Sequence, residues 1–148
     1  MFRFLLLCGL MLFLAGCTSI EVEPLRYDPA LKEIHLIENP KVVVHDFVPV
    51  LEQNFSQHGI VIKRFSKFTQ LGKDEYGIRY TAKQSWTLLS YLSEAAVEVY
   101  KGNELVAEGK YHLLGRSACL SPLKWQGTET KMKPLYDELL KNYPAGKK

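Results

Sequence analysis

Between Tyr76 and Leu88 apolar and polar side chains alternate along most of the run. One face carries Tyr76, Ile78, Tyr80, Ala82, Gln84, Trp86 and Leu88, and the other Gly77, Arg79, Thr81, Lys83, Ser85 and Thr87. Successive side chains of a strand point to opposite faces, so this run predicts a long strand with one side on a core and the other in water. That is the signature of an antiparallel sheet covered on one side.

The other elements are read against this strand. Glu33 to Ile37 alternates in the same way, with Ile34 and Leu36 on one face and His35 on the other. Asn39-Pro40 breaks it, and Val42 to Val44 is apolar enough to pack under the next element. A helix is expected from about Asp46 to His58, with Asp46 as N-cap and Pro49 in the first turn. Phe47, Val50, Leu51 and Phe55 form its apolar stripe and Gly59 stops it. Ile60 to Phe65 is strand-like, and Lys67 to Glu75 is a polar connection. Ala95 to Tyr100 and Leu105 to Leu113 read as a hairpin around Lys101–Glu104. Val97 and Val99 should face inward with Ala107 and Tyr111, and that parity requires an odd loop or a bulge. Arg79, Lys83, Glu98, Glu108, Lys110 and His112 then share the wet face.

Gly115 to Thr130 is irregular, and a last helix is expected over about Met132 to Tyr143, capped by Thr130, with Leu135, Leu139, Leu140 and Tyr143 inward. The expected class is α+β, in the order β-α-β-β-β-α, with two helices packed on one face of a mostly antiparallel four-stranded sheet. If the first strand-helix-strand unit is parallel, it should cross over right-handed.

The amino terminus has its own pattern. Arg3 precedes an apolar run from Phe4 to Leu14, then Ala15, Gly16 and Cys17, then a polar, proline-containing stretch. A membrane span needs about 20 apolar residues, so a run of about 11 suits a secretory signal. Leu14-Ala15-Gly16-Cys17 resembles a lipobox, the processing signal of bacterial lipoproteins. That resemblance implies diacylation of Cys17 on sulfur, cleavage between Gly16 and Cys17, and acylation of the new amino group. Two or three chains at ~0.8 kcal/mol per buried CH₂ hold a protein permanently. Thr18, where an aspartate would favour inner-membrane retention, implies sorting to the outer membrane. Residues 1–16 are thus expected as signal peptide, 17–32 as lipidated terminus and flexible tether, 33–143 as one domain, and 144–148 as a frayed end. Fully extended, Thr18 to Lys32 would reach roughly 50 Å at ~3.3 Å per residue.

Removing residues 1–16 from 148 leaves 132, one domain with enough length for a packed core. With 19 basic against 16 acidic residues the charge balance gives no argument for nucleic acid. Cys8 leaves with the signal and Cys17 is lipidated, so Cys119 has no intrachain partner and is expected buried as a thiol.

No stretch carries a catalytic signature: there is no H-E-x-x-H, no G-x-S-x-G and no phosphate-binding glycine loop. His35, His45, His58 and His112 are scattered, and His58 beside Gly59 reads as a cation near a helix C-terminus. Trp86 and Trp125 are expected as core anchors. No cofactor or metal is expected.

The stretches NPKVVVHDFVPVLEQNFSQHGI and YTAKQSWTLLSYLSEAAVEVY, with the lipobox, give the chain the look of a small family of uncharacterised Gram-negative lipoproteins, of gammaproteobacterial type. More distantly, the strand and helix order is similar to the envelope lipoprotein LptE. These resemblances imply a non-enzymatic protein anchored to the outer membrane by its acyl chains, facing the periplasm, whose domain binds an envelope protein as an assembly or stability accessory. Arg79, Lys83, Glu98 and Lys110 are its candidate contact surface. The alternative is a carrier or sensor for a lipid or a lipopolysaccharide-type glycolipid, which requires an apolar cavity between helices and sheet.

Overall fold

A computed structural model of the chain describes residues 18–66, 70–86, 89–114 and 122–146. Six strands and two helices follow one another as β1 (Thr18–Glu23), β2 (Glu33–Ile37), α1 (Phe47–Gln57), β3 (Val61–Phe65), β4 (Tyr76–Trp86), β5 (Ser90–Lys101), β6 (Glu104–Leu113), a 3-10 turn (Pro122–Trp125) and α2 (Thr128–Leu139). The strands form one sheet in the order β1-β6-β5-β4-β2-β3. β2 pairs parallel with both β3 and β4, while β4–β5, β5–β6 and β6–β1 are antiparallel.

This corrects the expected mostly antiparallel four-stranded sheet and the order β-α-β-β-β-α. Both hairpin arms pair as long strands of their own, and Thr18–Glu23 adds a sixth that was read as tether. Ile20 and Val22 alternate with Glu21 and Glu23, and they meet Tyr111 and Gly109 across the ladder. The likeness to LptE rested on the strand order that this sheet does not have.

The alternation in β4 is borne out where it matters most. Ile78, Tyr80 and Ala82 are buried and Arg79, Thr81 and Lys83 are exposed. The same inner face continues through Ile34 and Leu36 of β2, Val97 and Val99 of β5, and Ala107 and Tyr111 of β6. Both helices close over it and touch each other. Phe47, Leu51 and Phe55 of α1 and Met132, Leu135 and Leu139 of α2 are fully buried.

The hairpin satisfies its parity with a bulge. Gly102-Asn103 makes a two-residue turn between Lys101 and Glu104, with Gly102 at φ +57°. The register then shifts between Val99, which faces Ala107, and Tyr100, which faces Leu105. The extra residue restores Val97 and Val99 to the core.

Helix ends differ from expectation in two places. Asp46 precedes α1 but its side chain makes no capping bond; its Oδ1 accepts from the Thr128 hydroxyl at 2.8 Å, tying α1 to α2. At the other end Gly59, at φ +75°, donates to Ser56 O at 3.0 Å, and Ile60 donates to Phe55 O at 3.1 Å. That doubled closure is a Schellman ending, with Ile60 buried beneath it. α2 starts at Thr128 after an extended Gly127 rather than behind Thr130, which places Pro134 inside the helix. Leu135, Leu139, Leu140 and Tyr143 are buried as expected, but α2 ends at Leu139 rather than near Tyr143, so the last two lie past the helix.

The segment after β1 is bound to the domain. Leu25 and Leu31 are buried, Leu25 N–H donates to Leu139 O at 2.9 Å, and the Tyr143 hydroxyl donates to Arg26 O at 3.1 Å. At the far end Gly146 N–H donates to Gln57 O at 2.6 Å.

Candidate interaction surface

The outer face of the sheet is a grid set by strand register. Arg79 lies opposite Glu98, which lies opposite Glu108 and then Glu23. One row on, Ala96 faces Lys110 and Lys110 faces Glu21; one further, Lys83 faces Glu94 and Glu94 faces His112. The structure therefore puts Arg79, Lys83, Glu98 and Lys110 on one continuous surface.

The charges on it are paired across and along strands. Lys83 Nζ sits 2.7 Å from Glu94, and that bond holds the Glu94 carboxyl below the usual carboxylate range. Lys110 Nζ is 2.8 Å from Glu108, which raises its own pKa. The Tyr100 hydroxyl donates to Glu98 at 2.8 Å, a bond that pushes the phenol up, and the Arg79 guanidinium lies 4.8 Å over the Tyr100 ring. Exposed pairs of this kind contribute little stability. Beside them an open hollow of about 310 Å³ is lined by Ile37, Asn39, Arg79, Thr81, Ala96 and Glu98. Its rim is fixed by Asn39, whose amide donates to Tyr80 O at 3.1 Å.

A second polar cluster joins the segment after β1 to the start of β4 and the end of β5. Asp28 accepts from the Tyr76 hydroxyl at 2.7 Å, from Ala30 N–H at 2.9 Å and from Lys101 Nζ at 3.1 Å. Those bonds, Tyr76 first, hold its carboxyl down at about 2. Lys101 is raised by its bond to Asp28, and Tyr76 is raised by burial and by the same carboxylate. The shifts keep Asp28 a carboxylate, Lys101 an ammonium and Tyr76 a neutral phenol, which suits a clasp.

The histidines are not brought together. His35 packs at a tilt against Phe65, ring centroids 4.7 Å apart, with Nε2 3.5 Å from Glu33, and its buried Nδ1 has no partner. His58, read from sequence as a helix-end cation, has Nδ1 2.8 Å from Tyr143 O instead. His112 Nδ1 lies 3.6 Å from Glu94. Among the described residues no three His, Cys, Asp or Glu side chains are grouped to hold a metal ion. Gly16, Cys17 and Cys119 lie outside the described residues. No helix among the described residues is long and apolar enough to cross a membrane.

The two tryptophans are a correction. Trp86 is 75% and Trp125 48% exposed, so neither anchors the core. β4 and β5 run on past the cover of the helices, and a register shift at Lys83/Gln84 separates this end from the regular ladder. Leu89 and Leu114, also exposed, lie at the same end of the sheet. Trp125 packs edge-on to Tyr91 at 6.1 Å, with Lys124 Nζ 4.7 Å over the Tyr91 ring. Strand phase alone could not reveal this patch, because Trp86 is in step with the core positions Tyr80 and Ala82.

No protein-family model matches the chain, and no curated protein sequence does so significantly. Among solved structures it is similar to the PelC dodecamer from Paraburkholderia phytofirmans, at TM-score 0.53 and 8% identity over 88% of this chain and 99% of that one. A dodecamer of a PelC point variant gives TM-score 0.55 at 10% identity with the same coverage. A minor lipoprotein from Acinetobacter baumannii is more remote, at TM-score 0.36 and 11% identity over 80% of this chain and 98% of that one. At such identities the PelC likeness is one of fold, shared along almost the whole PelC chain.

Proposed function

We propose that this chain is a non-enzymatic lipoprotein, held to the outer membrane by acyl chains on Cys17, whose periplasm-facing domain binds an envelope protein as an assembly or stability accessory. The observation that carries this reading is the outer sheet face: a rigid, register-set grid of charges bordered by the hollow between Asn39, Arg79 and Glu98. Fixed alternating charges select a partner by complementarity more than they add affinity. The protein-partner reading is preferred to a lipid carrier because the layer between helices and sheet is taken up by Phe47, Phe55, Met132, Leu135 and Leu139. PelC chains of this fold assemble as dodecamers, which makes a second copy of this chain the first partner to look for.

The test is crosslinking in intact envelopes at native expression, followed by purification of the lipidated protein. An adduct of defined mass is expected, and it should weaken when Lys110→Glu and Lys83→Glu reverse the face's basic rows. Recovery of monomer alone would overturn the reading.

A further inference from the structure

We infer that the end of the sheet bearing Trp86, Leu89, Leu114 and Trp125 lies on the bilayer surface, so that the domain stands on the membrane through a lipid-facing edge of its own. This rests on the reading of Cys17 as the acylated residue and goes beyond it, since an anchored domain need not touch the membrane.

The register fixes where the anchor sits. Cys17 immediately precedes Thr18, the first residue of β1, and Thr18 pairs with Leu113 at the end of β6. Carried across the ladder through His112, Glu94 and Lys83, that level falls near Gln84 on β4. Trp86 is two residues farther on, about 7 Å, and three strand spacings away, about 14 Å. Thr18, the residue next to the proposed anchor, and the exposed tryptophan therefore lie at the same end of the sheet. Because Thr18–Glu23 is a strand and not a tether, the residue that follows the proposed anchor already belongs to the sheet.

The chemistry of the end fits a headgroup layer. Trp86, Leu89, Leu114 and Trp125 are 75%, 65%, 45% and 48% exposed. Tryptophan favours the membrane interface, where an apolar ring and an indole N–H are both satisfied. Lys124 lies against the rings of Tyr91 and Trp125, at 4.7 and 5.6 Å, and presents a cation to phosphate headgroups there. Lys83, the nearby basic residue on β4, is already paired with Glu94. Each contact is weak alone; the anchor converts it into an intramolecular event at high effective concentration. The occupant is accordingly lipid, since the chain's own anchor delivers this end to a bilayer.

The protein supplies its own probes, because its two tryptophans are Trp86 and Trp125. The lipidated full-length protein is reconstituted into phosphatidylethanolamine–phosphatidylglycerol vesicles with and without brominated acyl chains. Tryptophan emission should shift to the blue on reconstitution and be quenched by the bromolipid, while iodide quenching falls. Trp86→Phe and Trp125→Phe, each checked for an unchanged circular-dichroism spectrum, should each retain part of the bromolipid quenching. Protein that floats with vesicles while its tryptophans keep full iodide access overturns the docking and leaves the anchor standing. Tryptophans shielded from iodide yet untouched by bromolipid would mean that another protein chain covers the patch, which also overturns it. Protein that does not float at all overturns the anchor, and the docking with it.

Discussion

Gly109 on β6 is where α2 comes down hardest on the sheet, and replacing it with alanine measures that contact. A Cβ on Gly109 would stand 2.6 Å from Leu135 Cδ2 and 2.9 Å from Leu135 Cγ. Favourable carbon–carbon contact begins at about 3.5 Å, so the leucine or the helix must retreat by nearly 1 Å. Leu135 is fully buried and has nowhere to retreat. Overpacking of this kind costs about 1–3 kcal/mol, offset by the ~0.5–1 kcal/mol that alanine gains over glycine inside a strand. The net loss for Gly109→Ala is therefore up to about 2.5 kcal/mol, or up to roughly 10 °C in Tm for a domain of this size. Urea and thermal unfolding followed by circular dichroism read both quantities. The decisive comparison is Gly109→Ala in a Leu135→Ala background, where the colliding methyls are gone. There the same change should cost nothing or stabilise, giving a coupling of ~1 kcal/mol or more. Equal cost in both backgrounds, or a stabilised single variant, refutes the close approach of α2 to β6.

Further predictions concern the anchor, the clasp and a buried lysine. Radiolabelled palmitate should mark the wild type and not Cys17→Ser; equal labelling of both would dispose of the lipobox reading. Asp28 has its carboxyl lowered from 3.8 to about 2 by Tyr76, Ala30 and Lys101, so its contribution is present above pH 3.8 and is lost as pH falls toward 2. The urea midpoint of Asp28→Asn should accordingly lie below wild type at neutral pH and converge with it near pH 2; a constant gap refutes the clasp. Lys131, 5% exposed, donates to Leu92 O at 3.2 Å and Lys124 O at 2.8 Å, and burial lowers its pKa from 10.5. A charged form penalised only in the folded state means that wild-type stability rises with pH up to 10.5, relative to Lys131→Met. A pH-independent difference between the two midpoints would contradict that.

What the sequence disclosed depended on the reach of each signal. Period-two alternation in β4, and the matching parity of Val97, Val99, Ala107 and Tyr111, identified the inner and outer faces and required an odd loop or a bulge, of which the structure has the bulge, at Tyr100–Leu105. The stripes of both helices were equally plain, because three or four aligned apolar residues specify a face by themselves. Neighbour relations were not legible: nothing in EIHLI or VIKRF says that these strands run parallel, or that β2 sits between β3 and β4. β1 was missed because TSIEVE is short, is followed by Pro24, and gains its meaning only from Tyr111 and Gly109 far along the chain. The grid of Arg79, Lys83, Glu98 and Lys110 followed from phase alone. The exposed end with Trp86 and Trp125 did not, since phase cannot show where the helices stop covering a strand.

The placement of β1 also decides how force enters the molecule. Thr18 follows Cys17, the proposed anchor, in the sequence, and the six pairs from Thr18–Leu113 to Glu23–Glu108 run along the strand from it. On the proposed docking, tension from the membrane would pull along β1 and load those six pairs in shear together, whereas a sideways pull would peel them one by one. Envelope strain would then meet a mechanical clamp before it reached the core, and single-molecule pulling from residue 17 should show a higher rupture force in the first geometry than in the second.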